Sequence, residues 1–194
     1  MQPFEFEETG IEGLKIIHPF FAPDERGYFM KTYEHEIFMQ NGIEMGNAED
    51  MTSYSKKGVL RGLHFQTRYS QDKLLRVYCG EVYDVAVDLR KDSPTYGEWK
   101  GFYLSGENRL GLYIPSGFAH GYLALTDEVI FSYRCGQPYA PQYDSGIIWN
   151  DKVLGVEWPL DRVGSLIISE KDKKLQSFAE FQEHMGGFEE IQYL

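Results

Sequence analysis

Between Ser53 and about Trp149 the apolar residues fall in short runs separated by clusters of Gly, Pro, Asn and Asp. The runs cover residues 58–66, 73–79, 81–90, 98–105, 110–114, 120–125, 128–135 and 146–149. Short strands at such spacing, with no helical pattern between them, predict a β-sandwich or barrel. The clearest period-2 pattern lies in 81–90, where Tyr83, Val85, Val87 and Leu89 face one way and Val82, Asp84, Ala86 and Asp88 the other. Two aspartates on one face mark either the lining of a polar cavity or a solvent-facing side, and Asp88 fits the solvent-facing side better than Asp84 does.

Outside this block the pattern is sparser. Residues 4–17 suggest an edge strand or arm, and Pro19, Pro23 and Gly27 punctuate a loop carrying Asp24, Glu25 and Arg26. Residues 33–40 predict a short peripheral helix stopped by Asn41-Gly42. Ser169 to Asp172 has the spacing of a capping box, with Leu175, Phe178, Ala179 and Gln182 at helical spacing after it and Gly186-Gly187 as a stop. A C-terminal helix over 170–185 is expected, and the tail 188–194 has no interpretable period. No internal repeat or linker is evident, so residues 1–194 read as one domain.

Composition narrows the partners. Lys plus Arg number 19 against 30 Asp plus Glu, a formal charge of −11, which disfavours a nucleic-acid or anionic membrane surface. No apolar run approaches the roughly 18 residues of a membrane span, and the N-terminus has no signal-peptide pattern, which points to a cytoplasmic protein. Cys79 and Cys135 read as buried free thiols, with a disulfide between them as the alternative.

Two motifs carry chemistry. GVLRGLHFQ at 58–66, followed by KLLRVY at 73–78, sets Arg61, His64, Lys73 and Arg76 among strand formers, as a pocket for an anionic ligand would. Strict alternation separates Arg61 from His64, so the two share a site only if Gly62 bends or bulges the strand. IPSGFAHGY at 114–122 contains a P-x-G-x-x-H pattern ending at His120, which resembles the second motif of the cupin superfamily. The five histidines contain no H-x-H pair, so no metal is expected. A His with a Lys, a Tyr and carboxylates instead suits general acid-base chemistry, in which Lys73 is a candidate to stabilise an enolate.

These segments, together with DERG at 24–27, GEVYDVAVDLRKDSPTYGEW at 80–99, LSGEN at 104–108, FSYRC around Tyr133, GIIWND at 146–151, EWP at 157–159 and SEKD at 169–172, closely resemble the dTDP-4-dehydrorhamnose 3,5-epimerase family. The resemblance spans about residues 5–175. It implies a cupin-type jelly-roll homodimer that epimerises a dTDP-linked 4-keto-6-deoxy sugar at C3 and C5 without a cofactor. It also implies His64 as the base, Asp172 as its dyad partner, Tyr133 as the acid on the opposite ring face and Lys73 as the enolate stabiliser. Arg61 and His120 are expected to hold the sugar nucleotide, and Arg26, Asp144 and Lys171 match ligand-contact positions. Tyr139 and the Phe20-Phe21 pair are candidate stacking platforms, and Asp84 competes with Asp172 as orienter of His64. Three contact positions depart from the family pattern: Lys31 stands where a Glu is usual, and Glu49-Asp50-Met51 where QDN is usual. Either the sugar, the nucleotide or the number of carbons inverted has changed, or Lys31 and Glu49 have exchanged charges and pair with each other. A non-catalytic sugar-nucleotide-binding cupin is the reading from another class.

Overall fold

The computed structural model describes residues 3–46 and 49–189. Its strands, in chain order, are β1 (Glu5–Glu8), β2 (Lys15–His18), β3 (Phe20–Asp24), β4 (Gly27–Lys31), β5 (Glu49–Ser55), β6 (Leu60–Gln66), β7 (Lys73–Cys79), β8 (Glu81–Asp88), β9 (Trp99–Ser105), β10 (Gly111–Ile114), β11 (Phe118–Ala124), β12 (Val129–Cys135) and β13 (Asp144–Gly146). A six-stranded sheet runs β1-β2-β10-β7-β12-β5, a five-stranded sheet runs β13-β6-β11-β8-β9, and both are antiparallel throughout. The β-sandwich expected from the strand spacing, and the jelly roll that the resemblance implied, are present.

The loop expected around Pro19 to Gly27 is instead a hairpin of β3 and β4, with Asp24 paired to Gly27 at its turn. Pro is tolerated there because the hairpin is a two-stranded ribbon with free edges. Strand β5 (Glu49–Ser55) lies outside the runs read from the sequence, the first of which begins at 58, because most of its residues are polar and form no apolar run.

Both faces of β8 are buried. Val82 and Ala86 join Leu75, Val77, Leu112, Phe118 and Phe131 between the two sheets. Val85, Val87 and Leu89 pack on the other side with Leu60, Leu63 and Phe65, under a cover that includes Leu154, Trp158, Phe178 and Phe181. Asp88 is therefore fully buried rather than solvent-facing. Its carboxylate accepts from Arg90, Ser93 and Thr95 and fixes the loop after the strand. Burial raises its pKa, but these hydrogen bonds outweigh that effect and hold the carboxyl below its ordinary value.

The short helix α1 (His35–Gln40) buries Phe38 against the N-terminal arm. The single C-terminal helix expected over 170–185 is divided. Residues Asp172–Lys174 form only a 3-10 turn, Leu175 is extended, and α2 spans Phe178–His184. The capping box that starts α2 is Ser177 with Glu180, not Ser169 with Asp172. Of the tail, Phe188 packs in the outer core and Glu189 is exposed, while 190–194 lie outside the described residues. Both cysteines are free, but Cys79 is exposed where a buried thiol was expected.

Candidate active site

A cavity of about 580 Å³ opens between the sheets. Its shape depends on an interruption in β6. In the β6–β11 ladder His64 faces His120 and Arg61 faces Tyr122, so Gly62 and Leu63 together stand opposite Gly121. This is a β-bulge, and it places Arg61, His64 and Gln66 on the cavity wall while Leu60, Leu63 and Phe65 enter the outer core. Gly62 alone fits: its φ is +117°, and an added Cβ would lie 2.6 Å from Gly121 Cα and 2.7 Å from the His120 carbonyl.

The bulge frees the Gly62 N–H from the ladder, and it donates to Asp172 Oδ2 at 3.2 Å. The other carboxylate oxygen meets His64 Nε2 at 2.9 Å. Asp172 is brought there by a strap along β6, in which Leu60 N–H donates to the Ile167 carbonyl and Ile167 N–H to that of Gly58. The aspartate is 3% exposed. Burial raises its pKa, but the His64 hydrogen bond and charge, with the Gly62 and Ser169 contacts, hold it below the usual carboxylate range. An ionised Asp172 accepts the proton on Nε2, which leaves Nδ1 as the nitrogen available to take a proton.

A second His-Asp pair lies deeper. His120 Nε2 meets Asp84 Oδ2 at 2.8 Å, so Asp84 orients His120 and not His64. Both residues are buried, and desolvation raises the Asp84 pKa against the opposing effect of His120.

The opposite wall belongs to the six-stranded sheet. Lys73 starts β7 across from Cys135 in the ladder, with Nζ 3.5 Å from the Gln71 carbonyl. Desolvation lowers its pKa, while the neighbouring carboxyl groups of Asp72 and Asp144 act the other way. Tyr133 on β12 lies against Met51 of β5, and its hydroxyl is 3.2 Å from Ser53 Oγ. Burial, reinforced by Tyr122, raises the Tyr133 pKa well above that of an ordinary phenol. At the rim, Asp144 accepts from Tyr139 Oη at 2.8 Å and from Lys171 Nζ.

Of the site residues expected from sequence, the cavity gathers His64, Asp172, Tyr133, Lys73, Arg61, His120, Asp144, Lys171, Met51 and Tyr139. Glu49 is next to it and accepts the Tyr139 N–H at 2.8 Å. Arg26 and Lys31 are on the β3–β4 hairpin outside this lining, where Arg26 pairs with Asp24 and Lys31 with Glu34. The alternative in which Lys31 and Glu49 pair with each other is not formed within the chain: Lys31 pairs with Glu34, and Glu49 accepts from Tyr139 N–H. The Phe20-Phe21 pair belongs to the same hairpin. Sequence reasoning missed Gln66, which accepts the Ala140 N–H at 2.6 Å and donates to the carbonyls of Tyr69 and Pro138, fixing the loop that presents Tyr139. It also missed Tyr122, although that residue shares the inward phase of His120 two positions away. Among the described residues no cluster of three or more His, Cys, Asp or Glu side chains could hold a metal, and no helix is long and apolar enough to cross a membrane.

A jelly roll of the cupin type, with His64 paired to Asp172 on one wall and a half-buried Lys and Tyr on the other, is an architecture suited to an epimerase. Comparisons with known proteins narrow the class. Residues 8–180 match the family model of dTDP-4-dehydrorhamnose 3,5-epimerase. A curated relative of that name from Methanothermobacter thermautotrophicus is 54% identical over 180 residues, covering 93% of this chain and 97% of the relative. The structure of dTDP-6-deoxy-D-glucose-3,5-epimerase from Legionella pneumophila in complex with dTDP-4-keto-L-rhamnose superposes with a TM-score of 0.86 at 41% identity, over 90% of this chain and 93% of that one. A 3′-monoepimerase from Streptomyces bikiniensis in complex with dTDP-quinovose gives 0.85 at 30% identity, over 94% and 92%. The chain belongs to the dTDP-4-dehydrorhamnose 3,5-epimerase family.

Proposed function

We propose that the protein converts dTDP-4-dehydro-6-deoxy-D-glucose to dTDP-4-dehydro-L-rhamnose by inverting C3 and C5. The observation that carries this reading is the placement of His64 and Tyr133 on different sheets, facing one cavity from opposite walls. Inversion needs a base on one face of the sugar ring and an acid on the other, because a lone residue returns the proton where it found it. His64 takes the proton beside the C4 ketone through Nδ1, and Asp172 stabilises the imidazolium. The Lys73 ammonium meets the developing enolate oxygen, where a desolvated charge acts most strongly. Tyr133 then protonates the carbon from the far side. Arg61, Lys171 and His120 supply positive charge and donors for the diphosphate in a chain whose net charge is −11. No cofactor takes part in these steps, and the substrate is a soluble nucleotide sugar of the cytoplasm.

The test is deuterium wash-in: the protein is incubated with the substrate in D₂O and C3 and C5 are followed by NMR. Label at both carbons with formation of the L-lyxo product supports the reading. Label at one carbon favours a second reading, a single-carbon epimerase, motivated by the likeness to the 3′-monoepimerase and by Met51 on the cavity wall. The protein acts as a homodimer in this proposal. The β3–β4 hairpin, with Tyr28 and Phe29 exposed at 58% and 63%, is the element suited to reach a second copy and to carry Arg26 to its ligand. A solution mass of 22.5 kDa rather than about twice that would exclude the dimer.

A further inference from the structure

Behind Tyr133 the structure contains an unbroken line of hydroxyls. Tyr133 Oη lies 3.2 Å from Ser53 Oγ, Ser53 Oγ 3.1 Å from Tyr122 Oη, and Tyr122 Oη 2.9 Å from Ser55 Oγ. Arg61 Nε–H donates to Ser55 Oγ at 3.3 Å and closes the line at the cavity mouth, where Arg61 is exposed. Three strands build it: β5 supplies both serines from its inward phase, β11 supplies Tyr122 and β12 supplies Tyr133. Of the interior links, Ser55 is 2% and Tyr122 1% exposed, and Ser53 is partly buried. Tyr122 is held by a parallel stack on Phe131 at 4.6 Å.

One polarity of the line leads into the cavity. A guanidinium can only donate, so Ser55 accepts from Arg61, and its own proton is available to Tyr122. In this order Tyr122 donates to Ser53 and Ser53 to Tyr133. Each hydroxyl then accepts from the one before it, and the Tyr133 proton is the one left to point into the cavity.

We propose that Ser53, Tyr122 and Ser55 form a proton relay that reloads Tyr133 from the Arg61 end of the cavity after each donation. The inference rests on the epimerase reading above. When the enolate carbon takes the Tyr133 proton, its C=C electron pair becomes the new C–H bond and the ketone reforms. The phenolate takes the Ser53 proton, Ser53 takes that of Tyr122, Tyr122 takes that of Ser55, and Ser55 takes one from water beside Arg61. The hydroxide left is neutralised by the proton that His64 removed and releases, so the cycle is balanced. Burial raises the Tyr133 pKa, which makes the phenolate a poor resting state and a fast reload useful. In this scheme the relay residues never touch the reacting carbon, so their loss leaves the first donation intact and delays the next.

The experiment is rapid-quench wash-in of deuterium from D₂O with Y122F, which keeps the ring stack and removes one link, and independently with S53A. The expected result is a burst of one label per site at close to the wild-type rate, then a steady state slowed about tenfold or more, with KM unchanged; a positioned acid is worth roughly 10² to 10⁴. Y133F shows no burst. Wild-type steady-state rates in both relay variants would overturn the proposal. So would a slowed first event, which would mean that the hydroxyls only position Tyr133. If the wild-type protein takes up no label at all, the epimerase reading fails and not the relay.

Discussion

Replacing Asp172 by Asn tests the dyad most sharply, because the new side chain has nearly the same shape and can satisfy only part of its surroundings. Asp172 accepts on both oxygens, from His64 Nε2 at 2.9 Å and from Gly62 N–H at 3.2 Å. An amide has one oxygen. If that oxygen faces His64, the NH₂ group confronts the Gly62 N–H, a donor against a donor in a buried site, which costs about 1–3 kcal/mol. If the amide turns round, its NH₂ faces Nε2, and the imidazole must place its proton on Nδ1, the nitrogen that has to act as base. Either arrangement loses the carboxylate charge opposite the forming imidazolium. A positioned base contributes roughly 10² to 10⁴ in rate, so kcat of D172N falls by that range, about 3–5 kcal/mol at 1.36 kcal/mol per decade, with KM little changed. The assay is steady-state formation of the L-lyxo ketosugar, with deuterium wash-in at C3 and C5 as a second readout. A D172N enzyme within about threefold of wild-type kcat would refute the dyad. The variant also reports on acid stability. The Asp172 carboxyl is held below its reference value of 3.8, so its contribution is present above that value and is lost as pH falls through the lower folded pKa. D172N therefore narrows the loss of stability between neutral pH and about pH 3.

Other substitutions probe separate features. Gly62→Ala places a Cβ within 2.7 Å of two backbone atoms at a positive φ, and a destabilisation above about 2 kcal/mol is expected in denaturant melts; a neutral result would mean that the bulge relaxes freely. Asp72 is buried with Oδ2 unpartnered, and burial raises its pKa. Its ionised form thus opposes folding above that pKa, so D72N raises Tm at neutral pH, with the gain shrinking as the pH is lowered and the wild-type carboxyl protonates. Cys135 is buried and its thiol is pushed up to about 11 by desolvation, whereas Cys79 is exposed. A thiol reagent at neutral pH should modify Cys79 in the native protein and Cys135 only after unfolding. Because Lys31 and Glu49 have other partners, the charge-swapped K31E/E49K double variant should regain none of the activity that the single variants lose.

Much of the fold was legible because β8 has a clear period of two and turn residues punctuate the strands around it. The residues that line the cavity were legible from the family's motifs, whereas the bulge that brings two of them together was legible from the residues themselves: Arg61 and His64 could share a wall only if Gly62 broke the period, and it does. The failures have physical causes. Asp88 looks solvent-facing because a carboxylate usually is, and only the Arg90, Ser93 and Thr95 donors, all later in the chain, make its burial affordable. Ser169-x-x-Asp172 satisfies the capping pattern, and Asp172 N–H does donate to Ser169 Oγ. Its carboxylate, however, is committed to His64, 108 residues away in sequence, and the helix starts again at Ser177. Local pattern cannot anticipate a side chain recruited by a distant strand. Gln66 escaped for the same reason, since it matters through loop 138–140.

The extra residue in β6 can be seen as an addition to a strand that needs no change elsewhere. Removing Gly62 from the sequence leaves Leu60, Arg61, Leu63, His64, Phe65 and Gln66 in perfect alternation, each pointing to the wall it already occupies. What would vanish is one amide, the one that grips Asp172, together with the step that sets Arg61 apart from His64 along the cavity wall. A plain strand could therefore have lined a binding pocket first and acquired its reactive pair by a one-residue insertion, without repacking either side of the sheet.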